Sequence, residues 1–301
     1  MMSPSTAPAI ASRAFTTTWQ HPKAVLATAD GRVTIGSNNW SGGLEQWRRN
    51  AQGDYELVWS HNPGRVRGLT ALSDGRICAT IKEGALQANE YKVHVYERDG
   101  RLLNKWGEFG EKPGQFCNPA GICFDARDRL YILDTTEWNG SRAMYCNRVQ
   151  IFTSEGRFLH SWGETGKEPG QFNLPVGITV APDQTVWVAD SYNCRIQHFT
   201  ADGCLLASWG GLGSKPGFFN APQGLVTRPD GTLLVIDTYN NRLQCLNQED
   251  GAPIWSWGKR GTDSVSCWLP CAVALDSNGR ILITDTMNRR ILMLGDKDES
   301  A

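Results

Sequence analysis

Short runs of apolar residues, several of them alternating with polar residues, extend along almost the whole chain. Clear examples are Val25 to Thr28, Arg32 to Ile35, Thr232 to Ile236 and Leu243 to Leu246. Runs of this length and period favour β-strands, and no stretch shows the apolar stripe of an amphipathic helix. The pattern therefore predicts an all-β fold.

Turn dipeptides separate these runs at regular places. The turn between the first and second strands of a unit is marked by Asp30-Gly31, Asp74-Gly75, Asp230-Gly231 and Asn278-Gly279. The turn between the third and fourth strands is marked by Asp99-Gly100, Glu155-Gly156, Asp202-Gly203 and Asp250-Gly251. Such dipeptides supply the positive φ angles of tight hairpins. Each unit is thus predicted to contain four short antiparallel strands.

Two sets of residues give the repeat length. Trp anchors recur about every 47 residues, with a longer interval at an insertion: Trp19, Trp59, Trp106, Trp162, Trp209 and Trp257. Small residues recur in the first strand of each unit: Ala24, Gly68, Gly121, Gly177, Gly224 and Ala272. A recurring segment indicates one structural module used several times. Six such units predict a six-bladed β-propeller whose blades stack their apolar faces around an axis.

The last unit ends at Leu294 and lacks a fourth strand, whereas Arg13 to Gln20 has the pattern of the missing strand. We therefore predict that the N-terminal segment completes the final blade, because this pairing removes two exposed strand edges at once. The predicted domain organisation is one propeller over residues 13–294. Residues 1–12 and 295–301 are predicted to be tails.

Several motifs in the later units carry a resemblance to a known family. The motifs are Leu174 to Ile178, Asp190 to Ile196, Asp237 to Leu243 and Asp285 to Ile291, with the linkers Trp106 to Phe116, Trp162 to Phe172 and Trp209 to Phe219. They resemble NHL repeats, which implies the same six-bladed propeller. The first two units depart from the motif, with Ser37 and Ile81 in place of the Asp and Lys92 in place of the Arg.

The Asp and Arg of the motif recur as Asp134 with Arg148, Asp190 with Arg195, Asp237 with Arg242, and Asp285 with Arg290. A catalytic group is needed once, so a pair repeated in every regular blade is interpreted as an ion pair that braces the turn between strands two and three. We assign no catalytic residue to this motif.

The repeat breaks down in the loops between strands two and three of the first three blades, and loops on a rigid scaffold often carry specificity. The insertion in blade three makes its loop nine residues longer than that of blade four. The candidate ligand-binding residues combine aromatic and polar groups: Asn39, Trp40, Glu83, Tyr91, Trp138 and Arg142, with Tyr192, Tyr239 and Met287 at the equivalent places of the regular blades. Such a mixture suits a protein, a peptide or a small polar ligand.

An enzyme is the alternative, because NHL propellers are similar to the peptide-amidating lyase and, more distantly, to calcium-dependent lactonases. This resemblance implies a Zn or Ca ion at the axis. His21 and His61 precede first strands and could face the axis, but two His make half a zinc site, and Glu83 with Asn39 could at most help to hold Ca²⁺. We favour a non-enzymatic binding propeller without a cofactor. A metal-dependent lyase, hydrolase or lactonase at the axis is the second hypothesis.

Net charge and cysteine content bear on the expected partners and cellular location of the protein. The formal net charge of −1 gives no general attraction to nucleic acid, although some NHL propellers bind RNA. The odd number of cysteines, nine, and the placement of Cys123, Cys194 and Cys245 in or beside apolar strands favour reduced thiols. We expect a monomer in the cytoplasm, without a membrane segment and without a nucleic-acid partner.

Overall fold

The computed structural model describes residues 13–38, 42–84, 90–138 and 143–295, and it contains six four-stranded antiparallel sheets. The first strands of neighbouring sheets contact one another in a closed ring. The chain is therefore an all-β six-bladed propeller, which confirms the prediction. Within the described residues, no helix is both long enough and apolar enough to cross a bilayer.

The strands of each blade run from the axis outward in chain order. Blade one contains β2 (Pro22–Ala27), β3 (Arg32–Ser37), β4 (Gly43–Arg49) and β5 (Tyr55–His61). Blade two contains β6 (Arg65–Ala71), β7 (Ile77–Glu83), β8 (Glu90–Tyr96) and β9 (Leu102–Trp106). Blade three contains β10 (Pro119–Phe124), β11 (Leu130–Asp134), β14 (Arg148–Phe152) and β15 (Phe158–Trp162), with a small separate ribbon of β12 (Glu137–Trp138) and β13 (Ala143–Met144) in its insertion.

The later blades are more regular. Blade four contains β16 (Gly177–Val180), β17 (Val186–Asp190), β18 (Arg195–Phe199) and β19 (Leu205–Gly210). Blade five contains β20 (Pro222–Thr227), β21 (Thr232–Asp237), β22 (Arg242–Asn247) and β23 (Pro253–Trp257). Blade six contains β24 (Val273–Leu275), β25 (Ile281–Asp285) and β26 (Arg290–Leu294), and β1 (Arg13–Thr16) is its fourth strand. Short 3₁₀ turns join the second and third strands of blades four to six: Ser191–Asn193, Thr238–Asn240 and Thr286–Asn288.

The N-terminal strand closes the ring as predicted. β1 pairs antiparallel with β26, so that Phe15 lies opposite Ile291 and Thr16 opposite Arg290. The Phe15 ring stacks on Tyr55 of blade one, with ring centroids 4.5 Å apart. The closing strand therefore also packs against the first blade.

Two of the six predicted Trp anchors are displaced. Four of the anchors lie opposite the residue that follows the motif Arg or, in blade two, Lys92: Trp106, Trp162, Trp209 and Trp257. In blade one this position belongs to His61, and Trp59 lies two residues earlier, while Phe15 takes the position in blade six. Trp19 lies in the linker and covers Gly43, where no side chain could be accommodated beside its ring.

Glycines at the start of the first strands allow the blades to meet closely at the axis. A Cβ at Gly68 would lie 2.6 Å from the carbonyl oxygen of Ala120, and one at Gly121 would lie 2.5 Å from that of Val176. These distances are far below van der Waals contact, so the glycines permit the close packing of neighbouring first strands.

The propeller has two distinct faces. We call the face that carries the connections between strands two and three, and the linkers between blades, the loop face. The opposite face, which carries the tight turns between strands one and two and between strands three and four, is called the turn face. The predicted ligand site lies on the loop face.

Candidate functional site

The motif Asp of each regular blade is the centre of a buried hydrogen-bond network. In blade four, Asp190 Oδ1 accepts from the backbone N–H of Asn173 at 2.7 Å. Its Oδ2 accepts from Arg195 Nε at 2.8 Å, Asn193 Nδ2 at 2.9 Å and Gln197 Nε2 at 3.1 Å. Arg195 also donates to three carbonyl oxygens of the preceding linker. The network joins the turn to the linker.

The same ion pair is present in the other regular blades, at 3.1 Å for Arg148–Asp134, 2.8 Å for Arg242–Asp237 and 2.7 Å for Arg290–Asp285. All four aspartates are fully buried. This repetition confirms the interpretation of the pair as a structural brace, because each guanidinium is fully engaged with its own blade and linker.

Blade three differs at two places in this network, because Asp134 Oδ1 accepts from two backbone N–H groups and no Asn amide of the described residues bonds to this carboxylate. Asn147 donates to Thr165 Oγ1 at 3.1 Å and accepts from the backbone N–H of Thr136, so its amide does not reach Asp134. Burial raises the pKa of Asp134 to about 7, against the opposing effects of two backbone N–H groups and Arg148. Asp134 is therefore the most strongly perturbed carboxyl of the repeated motif.

We expect Asp134→Asn to flatten the pH dependence of stability between about pH 4 and pH 7. The folded pKa lies above the usual 3.8, so the folded state holds the proton more tightly than the unfolded state. The stability from this group is therefore present below pH ~4 and is lost as the pH rises to about 7. Melting temperatures measured across this range test the slope. Asp99→Asn, in an exposed turn, is the control and should keep the wild-type slope, and a mutant slope equal to wild type would contradict the assignment.

A disulfide ties the insertion of blade three to the linker before it. It joins Cys117 and Cys146, whose Cα atoms lie 6.1 Å apart, and both cysteines are buried with Met144. Cys117, Cys146 and Asp134 form the one group of three potential metal ligands found in the part of the chain that the structure describes. Two of these three ligands are already bonded to each other. The sequence analysis did not foresee this bond, whereas Cys123, Cys194 and Cys245 are buried free thiols.

Charged side chains cluster on the loop face between blades two and three. Lys82 Nζ forms an ion pair with Glu137 at 3.0 Å and lies 4.9 Å from the centre of the Tyr91 ring. Burial raises the pKa of Tyr91, and the Glu137 carboxylate acts in the same direction. Tyr91 also stacks on Phe109, with ring centroids 6.2 Å apart. Tyr91, one of the predicted ligand-binding residues, is thus buried and packs against one side of this cluster.

The predicted residue Glu83 is engaged within its own blade. It accepts from His94 Nε2 at 2.8 Å and forms an ion pair with Lys105 Nζ at 3.1 Å. Although burial opposes ionisation, Lys105 and His94 hold the pKa of Glu83 below its usual value. Burial lowers the pKa of His94. These bonds tie the Glu83 carboxylate to β8 and β9 of the same blade.

Arg67 is a half-buried cation beside this cluster. Among the described residues, no hydrogen-bond acceptor and no carboxylate within ion-pair distance is found for its guanidinium. Burial lowers its pKa, while Tyr91 and Glu137 act in the opposite direction. A desolvated guanidinium without a bonded partner is unfavourable by itself and would gain from an anionic ligand.

Arg67 belongs to a ring of six residues at the mouth of the axial channel. They hold equivalent places in the first strands: Lys23, Arg67, Ala120, Val176, Gln223 and Cys271. Lys23 Nζ donates to Gln223 Oε1 at 3.1 Å and to Cys271 Sγ at 2.8 Å, across the axis. The channel below has a volume of about 280 Å³. The mouth thus carries two cations.

The two candidate metal-ligating histidines do not meet at this mouth. His61 lies in β5, the outermost strand of blade one, where its Nε2 is 2.8 Å from the carbonyl oxygen of Gly100. Its ring stacks on those of Trp59 and Tyr96, with centroids 5.1 Å and 6.1 Å away. The expectation that His61 could face the axis was therefore wrong, since it belongs to a fourth strand. His21 lies in the linker before β2.

A second group of residues on the loop face is apolar and exposed. Tyr192 is 62% exposed, Tyr239 is 53% exposed and Leu212 is 73% exposed. The backbone N–H of Gly211 donates to the carbonyl oxygen of Cys194, and Asn240 Nδ2 donates to that of Gly213. These bonds place Leu212 between the two tyrosines. We call Tyr192, Leu212, Phe218 and Tyr239 the tyrosine patch.

The structure places the nine predicted ligand-binding residues in three groups. Asn39, Trp40 and Arg142 lie outside the described residues. Trp138 contributes backbone to β12, and Glu83 and Tyr91 lie on neighbouring strands of blade two. Tyr192, Tyr239 and Met287 occupy the 3₁₀ turns of blades four to six, with Met287 partly buried.

Four residues of the loop face were missed by the sequence analysis: Lys23, Arg67, Lys82 and Leu212. The first two could have been found by aligning the residue before the small first-strand residue, Gly or Ala, in all six repeats, where Lys and Arg contrast with Ala, Val, Gln and Cys. The other two carry no signal, because their neighbours come from other parts of the chain.

Comparison with known proteins agrees with the repeat. Residues 172–199 match the family model described as NHL repeat. The chain is 32% identical over 112 residues to Protein brain tumor of Drosophila melanogaster, covering 37% of this chain and 9% of that protein. It is 30% identical over 153 residues to NHL repeat-containing protein 3 of Homo sapiens, covering 47% of this chain and 41% of that protein. The chain thus spans less than half the length of these relatives.

A solved structure described as a streptogramin B lyase superposes with a TM-score of 0.62 at 14% identity, covering 94% of this chain and 96% of that one. At this identity the likeness concerns the fold alone. The repeat match, the named relatives and the six equivalent sheets agree. The chain therefore contains an NHL repeat and folds as a six-bladed β-propeller.

Proposed function

We propose that the protein is a binding module that recognises a protein or peptide on its loop face, without catalysis. The observation that supports this most directly is the tyrosine patch. Its four residues expose large apolar side chains in the 3₁₀ turns of blades four and five and in the linker between these blades. Among the described residues, the other exposed large apolar side chains lie on the outer fourth strands and on the insertion of blade three. None of them lies on the turn face.

Tyrosine suits this role for a physical reason. Its ring buries a large apolar area, its hydroxyl keeps a hydrogen bond at the wet rim of an interface, and it loses little conformational freedom on binding. Large exposed apolar patches are rare on monomeric soluble proteins and often mark interaction sites. The patch supplies the apolar anchor of the proposed interface.

The mouth of the channel supplies the polar part of the same interface. Lys23 and Arg67 are two cations, and Arg67 is half-buried. A partner that carries acidic side chains would pair with them in a partly desolvated place, where such bonds count for more than at the surface. The proposed partner is therefore a peptide segment that combines apolar and acidic residues. The described parts of the loops between strands two and three of the first three blades belong to the same face.

Selection of a random peptide library against the purified protein tests this proposal. We expect selected peptides to be rich in apolar and acidic residues and to lose about tenfold in affinity for a variant that combines Tyr192→Ser with Tyr239→Ser. A variant that combines Leu205→Ala with Leu206→Ala removes exposed apolar area from the outer strand of blade four and serves as the matched control. Selected peptides that bind both variants equally well would contradict the proposal.

Two further arms separate the other hypotheses. Replacing Trp40, Trp138 and Arg142 together by Ala tests whether the loops of blades one to three take part, as the sequence analysis predicted. Measurement of Zn and Ca in the purified protein tests the alternative of a metal-dependent lyase or hydrolase, for which one ion per chain is expected. The cytoplasmic location, the monomeric state and the lack of a nucleic-acid partner stay predictions.

A further inference from the structure

The blade interfaces share one layer that is apolar or aromatic in five blades and polar in blade one. The layer consists of a cross-strand pair, formed by the residue three before the motif Asp position on strand two and its partner on strand three. The pairs are Thr34–Gln46, Cys78–Val95, Tyr131–Ile151, Trp187–His198, Leu234–Cys245 and Leu282–Met293. A polar pair is unexpected at a buried position that packs against the next blade.

The last residue of the first strand is also smaller in the first two blades. The equivalent residues are Ala27, Ala71, Phe124, Val180, Thr227 and Leu275. Blades one and two both carry Ala here. The side chain of Ala71 faces blade one, as does that of its strand partner Ile77, so the interface between these two blades also lacks side-chain volume in this layer. Ala27 faces blade six instead.

The missing volume appears as a cavity of about 550 Å³ that opens on the turn face between blades one and two. Its apolar walls include Leu26, Leu72, Ile77 and Phe124. Cavities of 300 to 1,000 Å³ with mostly apolar walls and a few polar groups are typical of small-molecule sites. The size alone therefore admits a ligand of ten to twenty heavy atoms, on the order of the smaller ligands of such sites.

The polar groups of this cavity include the amide of Gln46, whose orientation is fixed by its hydrogen bonds. Gln46 is 1% exposed, and its Oε1 accepts from Arg32 Nη1 at 2.9 Å and from Trp59 Nε1 at 3.1 Å. Its Nε2 donates to Thr34 Oγ1 at 3.2 Å. The second N–H of this amide has no acceptor among the described residues. A buried amide held this rigidly offers its free N–H to the cavity.

A cation stands at the rim of the same cavity. Arg98 donates to the carbonyl oxygen of Asp74 at 3.1 Å and has no carboxylate within ion-pair distance in the described ranges. Its guanidinium lies against Gly75, which leaves room for it because a Cβ there would collide with the side chain. Arg32, in contrast, is paired with Asp30 at 3.1 Å. Arg98 therefore keeps donors for an incoming anion.

We propose that this cavity is a binding site for a small carboxylic acid with an apolar body, whose carboxylate pairs with Arg98 while the body fills the space between blades one and two. A planar guanidinium suits a carboxylate because two N–H groups can bond to its two oxygens. The free N–H of Gln46 donates to one further acceptor atom of the ligand. The site is separate from the loop face, so it does not depend on the function proposed above.

Titration calorimetry with 1-naphthaleneacetate tests the site, with decanoate as a second probe and 1-naphthaleneacetamide as the neutral isostere of the first. We expect one acid molecule to bind per chain, about tenfold more tightly than the amide. Arg98→Gln should weaken the acid about tenfold and leave the amide unchanged. Arg157→Gln, an exposed arginine of blade three, is the matched control and should change neither.

A filling variant separates the cavity from the surface charge. Ala71→Leu introduces the residue that blade six carries at the equivalent position, Leu275, and should abolish binding of both acids while the melting temperature is kept or raised. Val180→Leu places the same side chain at the equivalent position of blade four and should leave binding intact. Failure of both acids to bind saturably to the wild-type protein, or undiminished binding to Ala71→Leu, would overturn the proposal.

Discussion

Removal of residues 1–20 is expected to lower the melting temperature by ~10 °C or more, since a loss of about 4 kcal/mol shifts a domain of this size by that amount. The deletion takes away β1 and with it the partner of β26, so the backbone N–H and C=O groups along β26 become an exposed edge. An exposed edge strand also promotes pairing with another chain. The variant should therefore aggregate more readily on heating.

The lost side-chain contacts set the size of the effect. Phe15 stacks on Tyr55 and lies 5.5 Å from the Trp47 ring, both on blade one. Loss of a fully buried Phe costs about 3–5 kcal/mol, and loss of the partly buried Phe15 contributes a part of this. The segment also contributes Trp19, which covers Gly43, and the backbone N–H of Thr18, which donates to the buried Glu45 at 3.2 Å. Without this donor, the Glu45 carboxylate loses a hydrogen bond.

Differential scanning calorimetry of two deletions checks this prediction. A protein that lacks residues 1–12 alone keeps β1 and serves as the matched control, with a melting temperature expected within ~2 °C of the wild type. If the longer deletion also stayed within this range, the N-terminal strand would contribute nothing to the closure of the ring.

The architecture could be predicted from the sequence because its signals repeat. Six copies of a four-strand unit, each with its own turn dipeptides, identify the blades, and an incomplete last unit identifies the closing strand. The ion pairs of Asp190 and Asp237 were predictable for the same reason, since their spacing to the Arg recurs.

The displaced anchors show the limit of this reasoning. Trp59 lies two residues from the position held by Trp106 in blade two. A shift of two residues keeps a side chain on the same face of a strand, so the alternation of apolar and polar residues cannot detect it. His61 was placed near the axis because it precedes the first strand of blade two, although it belongs to the fourth strand of blade one.

The candidate sites depend on contacts between blades, which no repeat pattern describes. The pair of Lys82 and Glu137 joins β7 to the insertion of blade three, and the disulfide of Cys117 with Cys146 closes the same region. With nine cysteines in the chain, many pairings are possible and spacing does not select one. The cavity beside Thr34 became visible only when the register of strands two and three was known in every blade.

Asp190→Ile is expected to lower the free energy of unfolding by about 3–5 kcal/mol, because it leaves a buried guanidinium and two buried amides without their acceptor. Blade two shows that strands two and three can be joined without the motif carboxylate. There, Ile81 stands in place of the Asp and is fully buried, and Lys92 stands in place of the Arg and donates to the carbonyl oxygen of Gly107 at 2.5 Å.

The variant that combines Asp190→Ile with Arg195→Lys reproduces this pair of residues in blade four. We expect the double variant to cost less than the two single variants together by about 1–2 kcal/mol, since the Lys no longer needs a buried anion and can reach the linker carbonyls. Urea unfolding of the wild type, both single variants and the double variant measures the difference. The same cycle at Asp237 and Arg242 in blade five is the matched control and should give an equal coupling energy. Additive single effects would show that the pair does not act as one unit, and a cost below ~1 kcal/mol for Asp190→Ile would contradict its role as the brace of the blade.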